Sequence, residues 1–199
     1  VLRHPMPYGD LTRQRVQRFA SLADIDAADC TLEEREEYEP HVAAGNLVFA
    51  GVDYAAILAA AAREADVLLW DGGNNDIPFL RPDLHIVLVD ALRPDQLTTH
   101  HPGEAVLRMA DLLVINKVDV AGTERVGVLA ERLGRLRPDI PQIRAASPVV
   151  LDDADRVRGR RVLVVDDGPT LTHGGMAFGA AYQAVRNLDG VTIVDPRKS

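Results

Sequence analysis

The stretch DLLVINKVDV, residues 111–120, decides how the rest of the chain reads. Residues 111–116 form a short, nearly continuous apolar run without the polar alternation of a one-sided strand. That pattern predicts a buried strand of a parallel sheet. The run ends in Asn116-Lys117-Val118-Asp119, and ligands of open parallel sheets sit beyond the carboxyl ends of the strands. There the carboxylate of Asp119 can accept two hydrogen bonds from the N1–H and N2–H₂ edge of guanine, an edge at which adenine presents an acceptor. Asn116 can brace the loop and reach N7, while the aliphatic stem of Lys117 can cover the face of the ring. One αβ unit later, the Ala-Ala-Ser of residues 145–147 places Ser147 where a second loop would touch the same base. A plain polar turn after a strand would leave the same letters. No G-x-x-x-x-G-K-[ST] phosphate loop occurs in the 199 residues, so a base reader stands without a phosphate cradle.

Outward from this strand, apolar runs alternate with helical patterns. Strands are expected at 47–51, 66–70, 83–90, 141–147, 160–167 and 191–195, and helices at 31–44, 53–65, 103–110, 122–136 and 174–187. Thr31 and Glu34 stand in capping-box spacing, and Asp53 precedes an Ala-rich helix as its cap. The alternation gives an α/β fold with a mostly parallel sheet and helices on both faces. A polar seam over 147–160 divides a core, residues 1–150, from a C-terminal αβ appendage, residues 151–199.

A formal net charge of −8 argues against nucleic acid and acidic membrane surfaces as partners, since both need a basic face. It leaves anionic small molecules open, because these need only a local positive site. The single Cys30 cannot form an intrachain disulfide, which suits a reducing cytoplasm. The longest apolar run, residues 54–62, is too short to span a bilayer. Val1 opens inside a strand without an initiator Met, and the chain is expected to be a fragment. A homo-oligomer stays open.

Three further stretches carry chemistry. In LLWDGGNND, residues 68–76, Asp71 ends an apolar strand and can hold Mg²⁺, with glycines that let the backbone approach phosphate. An ordinary strand-terminating turn would read alike. In VLRHPMPYGD, residues 1–10, Arg3 offers a fork for phosphate or carboxylate beside His4. In VVDDGPTLTHGGM, residues 164–176, carboxylates at a strand end lead into a glycine-rich helix start. Its free N–H groups, with Thr170, Thr172, His173, Gly174 and Gly175, make an anion site. Glu39-Pro40-His41 joins a carboxylate and an imidazole near an expected helix break.

Together, RHPMPYGDL, EEREEYEPH, WDGGNND, HPGE…RMAD…INKVD and DGPTLTHGGM resemble the cyclic 2,3-diphosphoglycerate synthetase family and its bacterial relatives labelled GTPases. The resemblance runs over essentially the whole chain and implies a P-loop NTPase-like core, similar to dethiobiotin synthetase. It places the phosphate loop on a strand and helix before the Arg-His-Pro strand, upstream of Val1. The implied reaction is an ATP- and Mg²⁺-dependent ligation in which 2,3-bisphosphoglycerate closes an intramolecular phosphoanhydride, releasing ADP and phosphate. On this reading Asp71 positions Mg²⁺ and Arg3, His4, Thr172 and His173 hold the phosphorylated small-acid substrate. Glu39 and Asp167 serve as further metal or acid–base groups. The isolated fragment is expected to be inactive. Asn-Lys-x-Asp points to GTP and the synthetase activity to ATP; both stay open, as does a regulatory or chaperone-type GTPase acting on a protein partner.

Overall fold

The computed structural model describes residues 1–4, 9–73, 76–166, 171 and 175–198. In chain order the elements are β1 (Leu2–Arg3), β2 (Gln17–Phe19), α1 (Leu22–Ala27), α2 (Leu32–Ala43), β3 (Val48–Ala50), α3 (Tyr54–Ala61), β4 (Ile86–Asp90), α4 (Gln96–Thr99), α5 (Gly103–Met109), β5 (Leu112–Asn116), α6 (Val118–Ala121), α7 (Thr123–Leu136), β6 (Gln142–Arg144), β7 (Arg161–Val162), α8 (Ala180–Val185) and β8 (Thr192–Ile193). The strands form sheets in the orders β1-β3-β2, β4-β5-β6 and β7-β8. This is the α/β architecture that the alternation of apolar runs and helical patterns predicts. The chain divides into two compact units, one of residues 1–87, 95–113 and 139–141, the other of residues 88–94, 114–138 and 142–199.

In the first unit β1 runs parallel to β3, with Leu2 opposite Phe49 and Arg3 opposite Ala50. The expected strand at 66–70 meets β1 as a single parallel bridge, Leu2 to Trp70, flanked by bonds from Leu2 N–H to the Leu69 carbonyl (2.7 Å) and from Asp71 N–H to the Leu2 carbonyl (3.2 Å). β2 pairs antiparallel with β3, a strand not expected because three residues are too short to show an alternation. Two apolar clusters cover the sheet residues. Phe19, Ile25, Tyr38, Val42, Val48 and Ala50 form one, and Leu2, Phe49, Ile57 and Ala61 the other.

Helix α2 starts with the expected capping box: Thr31 Oγ1 accepts from Glu34 N–H, and the Glu34 carboxylate accepts from Thr31 N–H. It buries Glu34, Tyr38 and Val42, which stand one turn apart on one face. The break expected near Pro40 does not occur, and the helix continues to Ala43. Asp53 caps α3 through Ala56 N–H at 3.0 Å, also as expected.

In the second unit β5 delivers its carboxyl end to a loop, and Ala145 N–H donates to the Ile115 carbonyl at 2.8 Å. α7 buries Val126, Leu129 and Leu133, an i, i+3, i+7 stripe. The helix expected at 122–136 is α7, and the short α6 before it ends at Gly122, whose φ is 82°. β7 and β8 are parallel, with Arg161 opposite Thr192. Among the described residues of the strand expected at 160–167, the ladder is formed by Arg161–Val162.

Candidate functional site

Arg3 ends β1 in the first unit, with its side chain only 10% exposed, and gathers charged groups from two segments. Its Nε donates to Glu37 Oε2 at 3.1 Å and its Nη2 pairs with the same carboxylate. Its Nη1 donates to Asp71 Oδ2 at 2.8 Å and to the Asp71 carbonyl at 2.9 Å. The guanidinium fork, which suits planar carboxylates, therefore spans helix α2 and the turn after Trp70. His41 brings Nε2 to 3.9 Å from Asp71 Oδ2, and His4 brings Nδ1 to 3.7 Å from Asp76 Oδ2. Asp76 also accepts from Gly73 N–H at 2.8 Å, closing the turn. Tyr38 supports the cluster from below, its hydroxyl donating to the His4 carbonyl at 3.3 Å. Burial, and then the Glu34 charge, push the Tyr38 hydroxyl well above its ordinary pKa, so it stays a donor.

The structure thus brings the expected Arg3, His4 and Asp71 together. Glu39 pairs instead with Arg35 at 2.7 Å, in a network with Asp26. The helix contributes His41, which the sequence reading named beside Glu39, and Glu37, which it did not. Their i, i+4 spacing puts them on one face, beside the buried Tyr38 and Val42, and that spacing is the signal that could have found Glu37. Asp71 remains half exposed, with a carboxylate that can meet Mg²⁺ together with nucleotide phosphates and water, the way Mg²⁺ is commonly held. Among the described residues no group of three or more His, Cys, Asp or Glu side chains could hold a metal ion alone.

The loop after β5, in the second unit, gathers its expected residues too. Asn116 Oδ1 accepts from Lys117 N–H at 2.9 Å, and Val118 N–H donates to the Ala145 carbonyl at 3.2 Å. Asp119 Oδ1 accepts from Ser147 N–H at 3.0 Å, which joins the loop after β5 to the segment 145–147. Lys117 reaches back to Asp90 at the end of β4, Nζ to Oδ2 2.8 Å. Asp90 escaped the sequence reading, though it also ends an apolar strand in an acidic residue.

Asp167, Thr170, Thr172, His173 and Gly174 lie outside the described residues. Gly175 has φ 68° with open space around it, a conformation glycine adopts without strain. Asp166 caps α8, its carboxylate accepting from the N–H groups of Gly179 (3.0 Å), Ala181 (2.8 Å) and Tyr182 (3.3 Å). A cavity of about 470 Å³ beside it is lined by Val164, Phe178, Tyr182, Ile193 and Arg197 among others. Among the described residues no helix is long and apolar enough to cross a membrane.

Residues 58–144 match the model of the CobW/HypB/UreG nucleotide-binding domain. The chain is 52% identical over 197 residues, 99% of its length, to arginine synthetase ArcE of Thermococcus kodakarensis, covering 44% of that protein. It is 36% identical over 101 residues to urease accessory protein UreG 2 of a Bradyrhizobium species, 49% of this chain and 44% of that protein. The chain thus spans less than half the length of these curated relatives. No solved structure matches the chain at a significant level. The first of these relatives is a synthetase other than the cyclic 2,3-diphosphoglycerate enzyme that the sequence motifs suggest. Residues 58–144, which include the loop after β5, are similar to a nucleotide-binding domain, set in an α/β chain with a P-loop NTPase-like core.

Proposed function

We propose that this chain belongs to a nucleoside-triphosphate-dependent synthetase that activates an oxygen of a small polar substrate by phosphoryl transfer and then displaces it. The observation that carries the reading is the Arg3–Glu37–Asp71 cluster with its two flanking imidazoles, formed at the end of a parallel strand. Mg²⁺ bound at Asp71 would shield the charge of the transferring phosphates. Arg3 fixes the Asp71 carboxylate through both a side-chain and a main-chain bond, so the carboxylate is preorganised before substrate arrives. His4 and His41 offer N–H donors to an anionic substrate group. The loop of Asn116, Lys117, Asp119 and Ser147 holds the base of ATP or GTP.

The relative named arginine synthetase directs the choice of substrate. Building arginine from the ureido amino acid that has oxygen in place of its terminal nitrogen fits the same chemistry. The ureido oxygen attacks the γ-phosphorus and the nucleoside diphosphate leaves. An incoming amine nitrogen then attacks the carbon, losing a proton as phosphate departs. Ring closure of 2,3-bisphosphoglycerate shares the first half of this sequence and remains the second substrate reading, carried by the Arg-His-Pro and Thr-His-Gly-Gly motifs.

The test uses the natural full-length protein with Mg²⁺ and ATP or GTP. L-citrulline with an ammonium or amino-acid nitrogen donor is supplied in one series, 2,3-bisphosphoglycerate in the other. Nucleotide-dependent arginine supports the first substrate, and a new cyclic pyrophosphate signal by phosphorus NMR supports the second. Nucleotide hydrolysis with neither product would overturn the synthetase reading and favour a GTPase acting on a protein partner, the kind of role the urease accessory relative suggests.

A further inference from the structure

The loop after β5 keeps a residue in a costly backbone conformation. Lys117 lies at φ 62° and ψ 33°, the left-handed region, where a Cβ crowds the following carbonyl oxygen. Three bonds hold it there: its own N–H to Asn116 Oδ1, the next N–H to the Ala145 carbonyl, and its Nζ to Asp90 Oδ2. Strain of this kind persists where the surroundings over-determine it, and it concentrates at ligand sites. A glycine at 117 would relax the backbone and lose the side chain, so the side chain is what distinguishes the residue present. Asp90 is itself fixed. Its Oδ1 accepts from Leu92 N–H at 2.8 Å, which leaves Oδ2 directed at the lysine. The paired side chains are 34% and 28% exposed, sheltered enough for the ion pair to escape full screening by solvent.

Resting on the nucleotide reading of this loop, we propose that Asp90 is a positioning residue of the base site, acting through Lys117. The carboxylate anchors the ammonium at the end of β4, so the aliphatic stem of the lysine is held between two strand ends as an apolar surface for a flat ring. Pairing also neutralises the ammonium, so the loop presents a surface for a base in preference to a cation for a phosphate. Asp119 and Asn116 then face that base from a loop whose backbone is already set.

The experiment measures binding of fluorescent N-methylanthraniloyl GDP and ADP to the natural full-length protein. Asp90→Asn keeps an oxygen for Leu92 N–H and removes the ion pair. It is expected to weaken the better-bound nucleotide about tenfold. Asp90→Glu, which restores the carboxylate, is expected to recover most of that loss. Lys117→Met should weaken binding comparably, and the Asp90→Asn, Lys117→Met double variant should bind no worse than Lys117→Met alone, because both act through one contact. Wild-type-like binding by Asp90→Asn, or losses that multiply in the double variant, would overturn the positioning role while leaving the nucleotide site intact. If Asp90→Asn does not fold, Lys117→Met decides, and binding within twofold of wild type overturns the role. A wild-type protein that binds neither nucleotide removes the nucleotide reading itself, and the positioning role with it.

Discussion

Arg3 holds Asp71 twice, through Oδ2 at 2.8 Å and through the main-chain oxygen at 2.9 Å. The side-chain bond sets where the carboxylate points, and the main-chain bond sets where the turn runs. A lysine keeps the charge but has no planar fork with which to bond Glu37 and both oxygens of Asp71. Arg3→Lys is expected to lower nucleotide-dependent turnover by roughly a hundredfold, in the range seen when a preorganised polar contact is lost. Steady-state kinetics of the full-length protein check this, and unchanged turnover would remove Arg3 from the site.

Tyr38 links the first apolar cluster to the same site, its ring 5.1 Å from that of Phe19 and its hydroxyl bonded to the His4 carbonyl. Tyr38→Phe keeps the packing and leaves that carbonyl without this donor. The expected loss is about 1 kcal/mol of stability, read from urea unfolding curves.

Gly51 sits where β3 meets the chain at residues 14 and 15. A Cβ built there would stand 2.4 Å from the Arg15 carbonyl oxygen, and this neighbour is main chain. The same segment bonds Val52 N–H to the Gln14 carbonyl and Asp53 N–H to the Arg15 carbonyl. Gly51→Ala must push the segment away, and a destabilisation of about 2 kcal/mol is expected in thermal or urea melts.

Cys30 packs against the first cluster and is half-buried. Burial, followed by the Glu34 charge, pushes its thiol up to about 11. Very little thiolate then exists at pH 8, so iodoacetamide is expected to label the folded protein roughly a hundredfold slower than the urea-unfolded chain. Equal rates would mean that the thiol is neither sheltered nor perturbed.

Asp53 and Asp24 set the acid limb of stability. The Ala56 N–H, then the Arg15 side chain, hold Asp53 below the usual carboxylate range, and the Ala20 and Ser21 contacts do the same for Asp24. A lowered folded-state pKa adds stability that is present above the unfolded value and is lost as pH falls through the folded one. The loss should therefore appear as pH drops below about 4. Urea midpoints between pH 5 and pH 2.5 should fall less steeply for Asp53→Asn than for wild type, and parallel curves would sink the assignment.

Local pattern carried much of this protein. The apolar run of 111–116, the capping box of Thr31 and Glu34, the Asp53 cap and the polar strand ends at Asp71 and Asn116 are decided by residues close in sequence, because period, capping and strand termination are short-range properties. The same locality explains why Asn116, Lys117 and Asp119 could be named as a group from their letters. Other features depended on chain distance. Glu37 and Glu39 look alike in an acidic helix, and only the packing of Tyr38 and Val42 turns Glu37 toward Arg3 and His41 toward Asp71 while Glu39 meets Arg35. Asp90 reads as one more strand-ending acid until β4 and β5 lie side by side and Lys117 adopts its left-handed turn. Sequence spacing fixes which residues share a face. Which face meets which partner is settled by long-range burial, whose free energy no local window contains.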